Sequence, residues 1–397
     1  MSYRKSYWIT TAATSTFAAA AVGITIGLTR LPHPNIGLSA LEILLACGGF
    51  LAALVAVAGC VVLWRDGRDR AGRPDSYARY ANHIPGPPSP LRFLLGSKLL
   101  PGDLVQVKSI EEIRATLDEN GRLDALPFMP EMEQFCGKQF RVHRRIDKIN
   151  DMRHKTGLRR MRNAVTLTAV RCDGAAHGGC QAECQILWKD AWLERVPAKR
   201  PARRTASEGH GPAEPGPDAA GVYVCQMTEL WHASTPMSTM DIRQDLRAWL
   251  SGNIAVRGFL LGLFTRLFNA VQRARKAASY PFMENQRRGP TPSSTLSLSP
   301  DNRVAVLSRE EVLSTLVNGR NRGLWFDRDM IRFCKQPGTV LKRVDRVIHE
   351  GTGKMVVMKT PCVVLKETIA TGEFLRFCPQ HEYIFWRENW LRPLQKD

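Results

Sequence analysis

The sequence predicts a mainly β protein carried on a helical anchor: an N-terminal two-helix transmembrane hairpin, then tandem small β-barrels separated by a helical insert. Three observations predict it. Two apolar stretches near the N-terminus are each long enough to cross a bilayer. The later chain is built of short alternating runs divided by turn residues, the pattern of small barrels. An offset of 198 residues carries Cys136 to Cys334, Asp147 to Asp345, Cys180 to Cys378, Trp188 to Trp386 and Trp192 to Trp390, so the barrel region is written twice.

The anchor is expected over residues 1–76. Trp8 to Leu28 carry no charge, and Ile36 to Trp64 carry only Glu42, so spans are predicted at about 8–28 and 36–64. Arg4 and Lys5 precede the first span, and Arg65, Arg68, Arg70 and Arg73 follow the second, whereas the turn TRLPHPN offers only Arg30 and His33. The positive-inside rule then puts both termini and the barrels on the cytoplasmic side of the inner membrane. A cleaved signal peptide is the other reading of the first stretch; a second span following it argues for an anchor. The balance of 56 Lys and Arg against 37 Asp and Glu, net +19 in 397 residues, predicts anionic neighbours. These are the lipid bilayer with its anionic headgroups first, and nucleic acid second.

Residues 77–100 include HIPGPPSPLRFLLGS, a Pro-rich linker that cannot be helical. The first repeat covers 101–196. Pro-Gly-Asp leads into alternating Leu104-Val105-Gln106-Val107, a turn feeding a strand. Ser109 with Glu111 and Glu112 starts a short helix, and Asn120-Gly121 ends it. KQFRVHRRIDKI, AVTLTAV and QILWKDAW read as further strands. Residues 197–220 are Pro, Gly, Ala and charge, a basic linker with too little apolar surface to order itself. Residues 221–285 hold an expected strand with Val222 and Val224, an amphipathic helix from Asp241, and RGFLLGLFTRLFNAVQRARK. That last helix suits the membrane interface, with packing against a barrel as the alternative. Residues 286–299 are a linker, and 300–397 form the second repeat, its first strand and helix one residue out of step. Arg145 and Asp147, matched by Arg343 and Asp345, are expected as cross-strand charge partners. The repeated tryptophans are expected to plug each core; were they exposed they would form a stacking platform.

The candidate site is CDGAAHGGCQAEC. Cys172, Cys180 and Cys184 with His177 are the ligand types zinc prefers, and thiolates are those of iron–sulfur clusters. In a reducing cytosol, clustered cysteines more often hold metal than form disulfides. Across the offset, Cys180 is kept as Cys378 and Cys136 as Cys334. Cys172, His177 and Cys184 become Ala370, Leu375 and Glu382. Cys136 with Cys180 is therefore expected as a structural pair, and Cys172, His177 and Cys184 as ligands special to the first copy. Cys180, Cys136 or Cys225 is the expected fourth. Buried free thiols, or a redox dithiol of Cys180 and Cys184 on one helical turn, are the competing readings.

Two resemblances add to this. The opening Gly102-Asp103-Leu104-Val105-Gln106-Val107 resembles SH3-like barrels. GRLDALPFMPEM, RCDGAAHGGCQAEC and WKDAWL, extending to CQMTEL, resemble an uncharacterised family of bacterial hypothetical proteins, which implies no activity.

No Walker loop, dinucleotide fingerprint, H-E-x-x-H or nucleophile elbow is present. The sequence therefore favours a membrane-tethered cytoplasmic binding or scaffold module with a metal site in its first barrel and an unnamed protein partner. The alternatives are an iron–sulfur or metal-dependent redox component and a nucleic-acid-binding protein.

Overall fold

A computed structural model describes residues 40–71, 96, 98–151, 153–196, 217–238, 241–283 and 287–394. The expected first span, most of the 77–100 linker and the basic linker over 197–216 lie outside the described residues. The protein is mainly β with some helices and divides into two compact units, residues 1–71 with 260–284 and residues 72–259 with 285–397.

In the first unit the helix Ala40–Ala71 runs through the expected second span and beyond it. Sequence reading ended the helix near Trp64. It continues because Arg65 finds partners on the helix side: its Nη1 donates to Thr265 Oγ1 at 3.1 Å, and its guanidinium stands over the Tyr280 ring. Among the described residues, Gly48–Arg68 is the stretch long and apolar enough to cross a membrane. Phe50, Val57 and Trp64, spaced by seven, are exposed along one side of it. Asn269 clamps the backbone of Tyr280 from both sides, donating to its carbonyl and accepting from its N–H, each at 2.7 Å.

The second unit holds two five-stranded antiparallel sheets. The first is built from β1 (Leu104–Val107), β4 (Gln139–Arg145), β7 (Ala164–Arg171), β8 (Gln185–Lys189) and β9 (Leu193–Arg195), in the order β8-β7-β4-β1-β9. The second uses β11 (Arg303–Val306), β14 (Pro337–Ile348), β15 (Met355–Ile369), β16 (Tyr383–Arg387) and β17 (Leu391–Pro393), in the order β16-β15-β14-β11-β17. The strand order is the same, and so is the register: Val165 faces Trp188, and Val363 faces Trp386.

Local chemistry repeats with it. Ser109 and Glu112 form a reciprocal capping box on the helix Ile110–Arg114, and Ser308 and Glu311 form the same box on Arg309–Leu313. The one-residue step between copies falls between these helices and Arg122 or Arg320, where the second loop is shorter. Trp188, Trp192, Trp386 and Trp390 are wholly buried, so they are core plugs and offer no stacking platform. Trp192 Nε1 donates to Thr116 Oγ1 at 3.0 Å, Trp390 Nε1 to Thr315 Oγ1 at 2.9 Å and Trp386 Nε1 to Thr368 Oγ1 at 2.9 Å, whereas Trp188 Nε1 has no hydrogen-bond partner.

The expected Arg–Asp pairs take a different form. Asp147 and Asp345 lie two residues along the chain from Arg145 and Arg343, 3.5 and 3.1 Å away, and are not across a strand pair. The partner from another element is Asp190 in the first copy (3.1 Å) and Glu388 in the second (3.4 Å).

The copies differ at one edge. In the second, β14 and β15 run on as a long hairpin. In the first, the chain breaks after Arg145 and the equivalent strands β5 (Lys148–Asp151) and β6 (Gly157–Met161) join β10 (Ser234–Pro236) in a separate sheet. Asn253 fills the break: its amide accepts from Arg145 N at 2.9 Å and donates to Arg145 O at 2.7 Å, as a neighbouring strand would.

The expected strand at Val222 and Val224 reduces to a single bridge, Val222 to Lys354, followed by a short helix Gln226–Glu229. The amphipathic helix forms at Arg243–Leu250 but buries its polar side: Gln244 and Asp245 are inside, Leu246 outside. Arg376 draws Asp245 in with a 2.6 Å ion pair.

The two sheets meet through equivalent residues. Ile348 N donates to Cys180 Sγ at 3.3 Å, and Asn150 N donates at 2.7 Å to Gln380 Oε1, the oxygen that Cys378 Sγ also meets at 3.4 Å. Ile348 and Cys378 are the 198-residue counterparts of Asn150 and Cys180. A contact in which i meets j and j meets i is the signature of two-fold packing.

Candidate metal centre

The site grows from three pieces of the first copy. A 3₁₀ turn, Pro130–Phe135, carries Glu131. Strand β7 ends at Arg171 and hands over to Cys172, whose N–H is fixed to Cys184 O at 2.9 Å. A second 3₁₀ turn, Ala175–His177, lies between Gly174 and Gly178, both at positive φ. Gly174 is needed twice over: a Cβ there would stand 2.0 Å from Cys180 O.

These pieces bring Glu131, Cys172 and His177 together, with ligand atoms within 4.8 Å of one another. Cys172 Sγ donates to Glu131 Oε1 at 3.1 Å. His177 Nδ1 stands 3.2 Å from the same oxygen, and His177 Nε2 stands 3.2 Å from Val224 O. Glu131 and His177 are 2% and 3% exposed, yet Glu131 Oε2 and His177 Nδ1 have no hydrogen-bond partner.

That arrangement limits the chemistry. Both imidazole nitrogens face oxygen acceptors, and a neutral imidazole has one N–H to give. Two species resolve the conflict: an imidazolium, or a cation at Nδ1 with Nε2–H donating to Val224 O. The 3.2 Å approach of Nδ1 to Glu131 is too bent for a hydrogen bond, which an imidazolium buried beside a carboxylate would need. A cation uses the bare Nδ1, the bare Oε2 and the Cys172 sulfur together, with the carbonyl bond orienting the ring from behind.

Burial, then the Glu131 charge, push the Cys172 thiol far above its ordinary range. Burial alone would raise Glu131; its contacts with His177 and Cys172 outweigh that and hold the carboxyl low. A protonated thiol and an ionised carboxylate are what a metal would find on arrival.

The remaining expected residues divide. Cys180, Cys184 and Cys225 line one pocket of about 350 Å³ with Cys172 and His177, beside Met129 and Met227. Cys180 gives its sulfur to Ile348 N–H of the second sheet. Cys184 is raised by burial first, and then by the charges of Glu382 and Glu350. Cys136 is outside this pocket: it closes the Pro130–Phe135 turn, packs on the core, and is raised by burial and then by Glu133 and Glu111. The segment from Cys180 to Cys184 is an irregular loop with Glu183 at positive φ, so the shared helical face that would have supported a redox dithiol is absent.

Glu131 escaped sequence reading. Its counterpart is Asp329, an acid kept at the equivalent place in the second copy. There the same loop is built without ligands: Asp329 Oδ2 accepts from Gly372 N, Thr371 N and Thr371 Oγ1, and Arg332 pairs with Glu373 at 2.8 Å. Asp329 thus meets three donors at Oδ2, while its Oδ1 has no hydrogen bond and stands 3.7 Å from Arg332; Glu131 meets a thiol donor at Oε1 and no donor at Oε2.

The fold and site define a β-rich protein with two sheets of one plan and a buried carboxylate–thiol–imidazole cluster in the first. No protein family, curated protein or solved structure matches the chain.

Proposed function

We propose that the protein is a membrane-tethered cytoplasmic binding or scaffold module that holds a zinc ion at Glu131, Cys172 and His177 and presents its paired sheets to a protein partner. The observation that carries the reading is the gathering of Glu131, Cys172 and His177, with the buried Glu131 Oε2 and His177 Nδ1 lacking hydrogen-bond partners. Mixed nitrogen, sulfur and oxygen donors are a zinc set. The shared strand order supports reading the sheets as tandem copies of one small barrel, SH3-like in the opening Gly102–Val107. The apolar helix Gly48–Arg68 supports the tether, and the charge asymmetry of the flanking segments supports the cytoplasmic side for the sheets. Val256, Leu260 and Leu263, exposed along one helix beside the exposed Arg273, Arg275 and Lys276, suit anionic lipid headgroups.

Elemental analysis of the full chain tests it, with Cys172→Ser and Glu131→Gln alongside. One zinc per chain, lost in both variants, is the expected result; unchanged metal in both sinks the site. Four cysteines around one pocket favour a second reading, an iron–sulfur centre. A brown protein with a visible absorption band supports that second reading against zinc.

A further inference from the structure

We infer that Cys225 is the fourth ligand, so that the ion is held by two thiolates, one imidazole and one carboxylate and ties residues 222–226 onto the first sheet. This rests on the metal reading above.

Cys225 lines the same pocket as Cys172 and His177. The residue before it, Val224, supplies the carbonyl that faces His177 Nε2, so ring and thiol are indexed to one stretch of backbone. That stretch is held at both ends. Tyr223 packs so closely on Gly178 that a Cβ there would lie 2.3 Å from its hydroxyl. Gln226 is buried, accepting from Leu187 N and donating to Leu187 O and Pro127 O.

The other thiols have different work. Cys180 accepts from Ile348 N–H of the second sheet, so it belongs to the seam between the sheets. Cys184 faces the carboxylates Glu382 and Glu350, which oppose a thiolate. Cys136 is outside the pocket. The Cys225 sulfur already meets the Met227 and Thr228 amides and the Thr228 hydroxyl, the kind of outer contact that orients and tunes a metal thiolate. The sulfur stands outside the 4.8 Å trio, and binding draws it in, a turn about χ1 being the cheapest such move. The balance is simple: a hydrated divalent ion enters, Cys172 and Cys225 each release a proton to solvent, and ligated water leaves as two metal–sulfur bonds form.

Cobalt(II) in place of zinc in the full chain tests this through its thiolate-to-metal absorption, with affinity from chelator competition. Cys225→Ser is expected to halve that absorption, weaken binding by about 10- to 100-fold, and cut proton release from two to one per ion. Cys180→Ser is expected to keep the absorption of the wild type. Cys225→His guards against loss of fold: bound metal with one sulfur fewer supports the inference. Full absorption and affinity in Cys225→Ser overturn it while leaving the metal reading intact. A wild-type chain that binds neither zinc nor cobalt overturns both.

Discussion

Glu131 has one oxygen bonded to a thiol and one bonded to nothing, at a position almost closed to water. Replacing it by Gln keeps the shape and removes the charge. Glu131→Gln is expected to weaken zinc by about 10- to 100-fold in chelator competition with little change in thermal unfolding. The thiols give a complementary test. Burial raises Cys172 and lifts Cys225 to about 11, so neither is a thiolate at neutral pH. Metal-free protein should therefore alkylate slowly at these two residues at pH 7.5, and zinc affinity should fall steeply as pH is lowered, because protons compete for the sulfurs. Cys172 and His177 were legible because sulfur and imidazole cluster along the chain. Glu131 was not, because its closeness to them comes from a turn folding back from 41 residues upstream. Only the acid at Asp329 hinted that the position is kept.

At the scale of elements, the turn around His177 depends on a glycine. Gly174→Ala meets a left-handed backbone, worth about 1–2 kcal/mol, and a carbonyl 2.0 Å from the new Cβ. Chemical denaturation should show at least that loss, and Gly372→Ala should show a similar one, since its Cβ would stand 2.1 Å from Cys378 O. Trp192→Ala and Trp390→Ala each remove a wholly buried indole that bonds a threonine, and each is expected to cost about 3–5 kcal/mol in the same measurement. Unequal losses within either pair would argue against equivalent roles. The capped helices at Ser109 and Ser308 and the alternating strands were legible because their causes are local. The bridge at Val222 was not: alternation there suggested a strand, but Gln226 is claimed by Leu187 and Pro127 and bends the chain into a helix. The helix 243–250 turned its polar side inward for the same kind of reason, the distant Arg376.

At the scale of the molecule, the seam between the sheets carries its own pH dependence. Desolvation pushes Glu382 up to about 7 against the pull of Arg171, and desolvation with the Glu382 charge lifts Glu350 to about 7. A carboxyl raised on folding favours the folded state while protonated. Its contribution is complete below about pH 4.5 and is lost as pH rises through 7. Thermal unfolding of the metal-free chain should therefore show a stability term that declines from pH 5 to pH 8, and Glu382→Gln should flatten it. The offset pointed to strands that fall in two sheets of one strand order, but how the sheets face each other was not legible, because Cys180 meets a backbone amide that any residue supplies.

The paired contacts at that seam, Ile348 N with Cys180 and Asn150 N with Gln380 beside Cys378, bear on how the halves can change. Two separate identical subunits would feel every substitution at such a seam twice over, once from each side. Covalent joining breaks that coupling, so an alteration is borne by one half alone. Ala370, Leu375 and Glu382 can thus stand where Cys172, His177 and Cys184 stand in the other half, which leaves those three side chains to one sheet alone.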